Sequence, residues 1–262
     1  MASVILGQVG LTGSIGTLPF MVTVLNFTSP SVSSTNLIYN ITTPFGSIYS
    51  YRREKRMLWR LGILAGLGGI FGALLGPMIR IGPLGDIAKF KVLFGILLGL
   101  VGLRLFLKKH AEIRVGRVET STGSLSKQGF TFSDTFYAYH TGLVLFGGLV
   151  AGIISTTFGI GTGFFLVPFY TTVLKLPIYA VAGAALLSTL IISVAGIVVY
   201  YSFDTGVSTA PDVTLGLLLG VGGILGGFVS AKVQKHMSSN FLHKLLGATL
   251  FLWALAYLRH GL

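Results

Sequence analysis

Charged residues are scarce in this chain. Asp, Glu, Lys and Arg together make up 10% of its 262 residues, whereas a soluble domain carries about 25%. Hydrophobic residues make up 52%, and the mean hydropathy is +0.83. This chain has too few polar residues to cover the surface of a globular fold in water. Lipid must therefore cover much of its surface. The composition predicts an integral membrane protein.

Acidic residues and cysteine are rarer still. The chain has no cysteine, which excludes disulfides and thiolate metal sites. Its seven carboxylates all lie in or beside polar interruptions: Glu54, Asp86, Glu112, Glu119, Asp134, Asp204 and Asp212. Carboxylates are the usual proton carriers in membranes, so proton coupling is poorly supported. His140 and Lys175 are the remaining titratable candidates, with an inert interfacial histidine and a topogenic lysine as the simpler interpretations.

The formal net charge of +12 does not indicate nucleic-acid binding, because the cations lie between apolar runs. Such cations set membrane topology and attract anionic lipid. No nucleophile elbow, H-E-x-x-H motif or Asp/Glu pair is present, so we expect no catalytic residues, no metal site and no cofactor.

Six apolar runs are long enough to cross a bilayer: about 31–51, 58–79, 90–107, 177–203, 211–231 and 241–258. Two more segments, 2–28 and 137–174, are apolar but interrupted by Gly-rich polar stretches at 12–17 and 158–163. For 137–174 a helix, a break and a returning half-helix fit best. Residues 108–135 are polar, without apolar periodicity, and predict a soluble linker.

Three sequence blocks recur in the same order in both parts of the chain. Residues 14–17 (Ser-Ile-Gly-Thr) match 159–162 (Gly-Ile-Gly-Thr), residues 66–72 match 220–226, and residues 93–95 match 245–247. Each block is short, and their collinearity is the evidence for an internal repeat. A re-entrant segment followed by three spans would invert the second half relative to the first.

The distribution of Lys and Arg favours that inversion. With the N-terminus outside, the cytoplasmic loops around 52–60, 104–127, 175 and 232–244 hold 15 of the 19 cations. The outside keeps Arg80, Lys89, Lys91 and Arg259. A parallel repeat would place cation-rich and cation-free loops on one side, contrary to the positive-inside rule.

A polar stripe follows one face of the run 31–51. Ser33, Asn36, Asn40, Thr43 and Ser47 recur at intervals of three and four residues. Either these side chains form interhelical hydrogen bonds or they contact a substrate. The equivalent face of the run 177–203 is less polar and keeps Ser188 and Thr189.

The two interrupted segments suggest an anion site. A half-helix that begins inside the membrane presents unpaired N–H groups and a positive dipole end. Gly16, Gly159 and Gly161 would permit bends and close approach, while Ser14, Thr17 and Thr162 add hydroxyl donors. Two facing N-termini would hold an anion without a buried cation. The alternative is that these glycines only allow tight packing.

The run Gly-Ile-Gly-Thr-Gly-Phe-Phe-Leu-Val-Pro at 159–168, with 182–189 and the Gly-rich third and seventh helices, resembles the TauE/SafE family of sulfite and organosulfonate exporters. The resemblance covers nearly the whole chain. The first half departs from the pattern, since 13–19 lacks the run of glycines and 33–36 reads Ser-Ser-Thr-Asn. The resemblance implies export of a small sulfur-containing anion.

The predicted protein is therefore an all-α, multi-pass cell-membrane transporter built from two inverted repeats. Residues 1–107 form the first repeat, 108–135 a cytoplasmic linker, and 136–262 the second repeat. Its partners are a small anionic substrate and the lipid bilayer, with a homodimer as a possible assembly. The alternatives are an anion channel and a non-transporting membrane protein, such as an assembly partner or intramembrane enzyme.

Overall fold

The structure is a computed structural model that describes residues 13–27, 29–107, 118–123, 126–202, 209–233 and 239–261. The first part of the predicted segment 2–28, including Thr12, lies outside this range. In the first half, helices α1 to α5 span Ser14–Thr23, Ser31–Thr42, Pro44–Arg53, Trp59–Ile81 and Ile87–Leu107. In the second half, helices α6 to α10 span Thr141–Phe158, Gly163–Thr172, Ile178–Ser202, Val213–Val233 and Ser239–Gly261.

Each of the six predicted spans corresponds to helix. The run 31–51 forms two nearly continuous helices, α2 and α3, because Pro44 lacks the N–H that would extend the hydrogen-bonded ladder and begins α3 instead. Within the described residues, α4, α6 and α8 are long and apolar enough to cross a membrane. α4 also carries an exposed apolar stripe: Ile63, Leu67, Phe71, Leu74 and Met78. A contiguous stripe of this kind suits contact with lipid.

The Gly-rich faces of α4 and α6 bring these two helices into backbone contact. A Cβ atom added at Gly68 or Gly72 of α4 would overlap backbone atoms of α6, and one added at Gly152 of α6 would overlap Gly69. Close approach through small residues is the usual basis of helix association in membranes. The glycines of this block therefore serve helix packing.

Helix packing relates the two halves reciprocally. α4 of the first half packs on α8 of the second, and α9 of the second half packs on α2 and α3 of the first. α5 and α10, the last helices of the two halves, pack on each other, and α2 contacts α8. Each half thus lends helices to the other, and no boundary separates them as independent globules.

The short helices α1 and α7 have the same length and end in the same turn. Each has ten residues with a proline at its sixth position, Pro19 and Pro168. A non-glycine residue with positive φ follows each, Asn26 at 54° and Lys175 at 55°. The two helices therefore correspond at a spacing of 149 residues, which pairs Ser14 with Gly163. This spacing differs by four positions, about one helical turn, from the sequence match of 14–17 with 159–162.

Part of the predicted linker is ordered as a β-sheet. Strands β1 (Val118–Gly123), β2 (Lys127–Phe132) and β3 (Thr135–His140) pair antiparallel in the order β1-β2-β3. Ser133 and Asp134 both have positive φ and join β2 to β3 in a two-residue turn. Phe130, Phe132 and Tyr139 are buried against the first residues of α4 and the core around α6 and α8. The all-α prediction therefore holds for the six apolar runs and is wrong here, where β3 also includes the first residues of the predicted helical segment 137–174.

Candidate functional site

The predicted segment 137–174 is broken where the sequence predicts a break. α6 ends at Phe158, Gly159 adopts a left-handed conformation with φ of 72°, and α7 begins at Gly163. A Cβ atom at position 159 would lie 2.5 Å from the carbonyl oxygen of Ser33. Glycine is needed here for both reasons, because other residues are strained at this φ and have no room beside α2.

The break leaves backbone carbonyls that helix hydrogen bonds would otherwise satisfy. Four buried side chains from α2, α6 and α8 donate to them. Ser33 Oγ donates to Thr157 O at 3.0 Å, and Asn40 Nδ2 donates to Gly159 O at 2.9 Å. Tyr200 donates to Thr156 O at 2.8 Å, and Ser155 donates to Ile160 O. Hydrogen bonds from side chains of three helices, α2, α6 and α8, thus stabilise the break.

The beginning of α1 meets this break. The N–H of Gly161 donates to Ser14 Oγ at 2.9 Å, a bond between residues 147 positions apart. Asn36 of α2 fixes the start of α1, because its Nδ2 donates to Ser14 O at 3.0 Å and its Oδ1 accepts from Thr17 at 2.6 Å. Gly16, predicted as a bend, instead lies within α1 with its N–H bonded to Gly13 O at 2.9 Å.

We call the buried group Ser14, Ser33, Asn36, Asn40, Gly159 and Gly161 the polar layer. Its two asparagines lie one turn apart on α2, and each holds one broken segment: Asn36 holds α1 and Asn40 holds the α6–α7 break. Asn36 uses both ends of its amide, whereas Asn40 Oδ1 has no partner among the described residues. The structure therefore shows interhelical bonding for these side chains and leaves an acceptor of Asn40 open.

The remaining predicted residues divide between this region and other contacts. Thr162, at the N-cap of α7, bonds Thr189 of α8 at 2.8 Å. Ser188 points to α4 instead, donating to Gly62 O at 2.9 Å. Thr43 packs towards Gly223 of α9 and its Oγ1 has no partner among the described residues, while Ser47 is buried in α3. Ser188, Thr43 and Ser47 therefore lie outside the polar layer, and the bonded pair Thr162 and Thr189 lies beside it, next to Gly161.

Arg80 contacts the polar layer, whereas the sequence placed it among the charges outside the membrane. Its side chain has 0% exposure near the end of α4. The guanidinium donates through Nε to Ser33 Oγ at 3.2 Å, and its carbon lies 4.2 Å from the centre of the Phe90 ring. His140 and Lys175, the titratable candidates from sequence, are both exposed.

A protein-family model and several related proteins match nearly the whole chain. The family described as Sulfite exporter TauE/SafE matches residues 1–257. The chain belongs to the TauE/SafE family. A probable membrane transporter protein of Xylella fastidiosa (strain Temecula1) is 24% identical over 236 residues, covering 90% of this chain and 82% of the relative.

Two Bacillus subtilis relatives extend this similarity. The probable membrane transporter proteins YdhB and YunE are each 24% identical, over 242 and 255 residues. They are covered over 88% and 89% of their own lengths, and cover 90% and 93% of this chain. No solved structure matches the chain significantly. The chain is a multi-pass membrane protein of a transporter family, as the sequence predicted.

Within this TauE/SafE chain, Arg80 was missed because the apolar run used to predict the third span ends at residue 79. The helix continues to Ile81, which carries the arginine back into the bundle rather than out into a loop. Tyr200 and Ser155, which donate to carbonyls of the break, gave no signal beyond single polar residues in apolar runs. Because α4 extends past Pro77, Arg80 belongs to the helix and is not a loop charge that sets membrane topology.

Proposed function

We propose that this chain exports a small sulfur-containing anion, sulfite or an organosulfonate, by alternating access. The observation that carries the proposal is the bond from Gly161 N–H to Ser14 Oγ, which joins the two interrupted segments inside an apolar bundle. Polar backbone is tolerated at membrane depth where it is buried in protein or lines a pathway. A transporter needs such a place, since its substrate must find polar partners there.

The α6–α7 break supports an anionic substrate. The first turn of α7 carries the positive end of the helix dipole. Its Phe164 and Phe165 N–H groups already donate to Gly161 O and Thr162 O, so the backbone donor offered to the anion is the Gly161 amide just before the helix. In this conformation Ser14 Oγ accepts from the adjacent Gly161 amide. In the proposed site, an anion oxygen takes the place of that hydroxyl, so binding separates α1 from the break. The break and Asn36, with Thr162 and Thr189 alongside, would then form one wall of the site, and Asn40 would hold the break in place behind it.

Reciprocal packing supports two inverted repeats. α4 packs on α8 as α9 packs on α2 and α3, and α5 pairs with α10. Exchange of the two halves leaves this set of contacts unchanged, as expected of repeats related by a two-fold axis in the membrane plane. The matching turns after α1 and α7 support the same relation. We assign residues 1–107 and 136–262 to the repeats, with 108–135 between them.

The proposed orientation places the N-terminus outside and the central linker in the cytoplasm. It rests on the concentration of Lys and Arg in alternate loops. The β-sheet then lies at the cytoplasmic end of α4, where Val118 N–H donates to Lys55 O and Arg60 donates to Gln128. Rocking of one half on the other would expose the polar layer to each side in turn.

The substrate class comes from the family, whose description names sulfite. The test is flux of sulfite and methanesulfonate in proteoliposomes containing the purified full-length chain, with protein-free liposomes as the control. We expect saturable flux in response to an anion gradient. Conductance far above carrier turnover would instead indicate a channel, and no flux of either anion under any gradient would contradict the proposal.

A further inference from the structure

Arg80 is a fully buried cation whose described partners are all neutral. Besides Ser33 Oγ, its guanidinium donates to the carbonyl oxygens of Leu84 and, at 3.5 Å, Ser29. Among the described residues, no carboxylate lies within ion-pair distance of it. Carbonyl acceptors satisfy individual N–H groups, but they do not neutralise the charge.

A second buried arginine shows how this chain treats such a group elsewhere. Arg56 has 1% exposure and lies between the rings of Tyr51 and Tyr179, at 4.2 and 4.0 Å. Its guanidinium is 2.6 Å from the carboxylate of Glu54. The two arginines flank α4, one just before its start and one near its end, yet only Arg56 has an acidic partner within the described chain.

An unneutralised buried charge is costly. Removing a charge from water costs several kcal/mol, of the order of 5, even after the protein relaxes, and an opposite charge is the usual compensation. An ionisable residue in a membrane-spanning helix is accordingly a functional candidate by default. The missing partner of Arg80 is a negative charge, and the chain's described residues do not supply it.

The position of Arg80 connects it to the polar layer. Ser33, which accepts from Arg80 Nε, donates in turn to Thr157 O at the end of α6. The backbone of Ser33 also lies directly against Gly159. One side chain therefore separates the guanidinium from the break.

We propose that Arg80 is the cation that binds the transported oxyanion, through paired N–H groups that meet two of its oxygens. This inference rests on the proposed function and names the charged residue of its site. Arginine suits this task because its planar fork matches two oxygens of one anionic group, which lysine does not. The anion displaces neutral acceptors such as Ser33 Oγ, so Ser33 moves when the site is filled. In the proposed orientation Arg80 lies towards the outer end of α4, on the release side of an exporter.

The test is anion binding by the purified full-length protein in detergent, measured as ligand-dependent thermal stabilisation and by calorimetry. The probes are sulfite, methanesulfonate, chloride and the neutral dimethyl sulfone. We expect the two oxyanions to bind more tightly than chloride, and no binding of the sulfone. In R80Q the Kd for methanesulfonate should rise about 10- to 100-fold, as expected for loss of charge-assisted hydrogen bonds.

Two further variants make the result specific. R80K keeps the positive charge but loses the paired donors, so its preference for oxyanions over chloride should fall. K89Q removes an exposed cation from the adjoining α5 and should leave the Kd within about twofold, as usual for a surface change that is screened by salt. Unchanged methanesulfonate affinity in R80Q and R80K would overturn the assignment.

A measurement on the unmodified chain covers the case in which the Arg80 variants do not fold. Phenylglyoxal reacts with arginine, and mass spectrometry reports modification of each arginine separately. Methanesulfonate should slow modification of Arg80 at least about tenfold, in line with its expected contribution to binding, and leave exposed Arg52 unaffected. Equal modification of Arg80 with and without saturating methanesulfonate would refute the proposal. If the anion is transported but Arg80 plays no role, the proposed function stands and the assignment of Arg80 fails. If methanesulfonate binds at Arg80 but is not transported, only the proposed transport function fails.

Discussion

Replacing Asn40 with alanine tests whether this residue positions the α6–α7 break or contacts the substrate. In the structure, Nδ2 of Asn40 donates to Gly159 O at 2.9 Å, and both residues are buried. One of the two amide N–H groups of Asn40 is engaged by the break, and the side-chain atom without a described partner is Oδ1, an acceptor, whereas an anion requires donors. We therefore expect Asn40 to position the α6–α7 break rather than to contact the anion.

The magnitude follows from the bond that is lost. A buried carbonyl left without its donor costs about 1–3 kcal/mol, while polar contacts between membrane helices average about 0.6 kcal/mol. Alanine also removes Asn40 Oδ1, which has no partner among the described residues, and this offsets part of the cost. We expect a net loss of about 1 kcal/mol, which lowers the unfolding midpoint by about 2–4 °C for a chain of this size.

The assay combines thermal unfolding without ligand and flux kinetics in proteoliposomes. For a positioning role, N40A lowers the midpoint and the maximal flux, and changes KM less than about threefold, since binding contacts are intact. Ser50→Ala is the matched control, because this buried hydroxyl bonds only within its own helix in the described structure, to Gly46 O at 3.2 Å. A KM increase of about tenfold or more, with an unchanged midpoint, would refute the positioning role and make Asn40 a substrate contact.

Two glycine substitutions test the geometry on either side of the polar layer. Gly159→Ala should cost about 1–2 kcal/mol of folding free energy for its left-handed conformation alone, and the clash with Ser33 O should add to this loss. The control Gly142→Ala should be tolerated, because a Cβ there meets nothing within 4 Å. Equal thermal unfolding midpoints of the two variants would contradict this account. Gly72→Ala should separate α4 from α6 and lower the yield of folded protein, while Gly222→Ala, with open space at its Cβ, should not; chromatography of the detergent-solubilised protein compares the two.

The spans and the main break could be predicted because each depends on a local property. A bilayer requires long apolar runs, and these appear at the positions of α4, α5, α8, α9 and α10. The break at Gly159 was visible because a Gly-rich polar stretch cannot continue an apolar helix without cost. These features need no knowledge of which segments meet in space.

The partners within the polar layer could not be predicted in this way. Asn40 and Gly159 are 119 positions apart, and the bond between them depends on the packing of α2 against the break. A polar stripe predicts that such side chains find partners, not which ones. The four-residue difference between the sequence match and the spacing of the two short helices had a related cause, because the Ile-Gly-Thr match is local, whereas the shared position of Pro19 and Pro168 becomes clear only from the helix bounds.

The β-sheet was missed for a different reason. Its strands have six residues each, and its turn, Ser133-Asp134, lacks the glycine that usually marks a tight hairpin. What fixes the sheet is tertiary: Phe130 and Phe132 are buried against the bundle. Short strands have weak local signals, and tertiary burial decides whether they form.

In the proposed repeats α2 corresponds to α8, and a difference between these two helices bears on the transport cycle. At the 149-residue spacing, Asn36 and Asn40 correspond to Ala185 and Thr189, so the amides that hold the broken segments come from the first half alone. α2 bonds its own half through Ser14 and the other half through Gly159. A movement of α2 relative to α6 must therefore break the contact of Asn40 with Gly159 and disturb Ser33, which also accepts from Arg80. In the proposed cycle, the anion that occupies Arg80 competes for these same groups, because it displaces Ser33 from the guanidinium. Substrate binding and rearrangement of the two halves are then coupled through one helix, as alternating access requires.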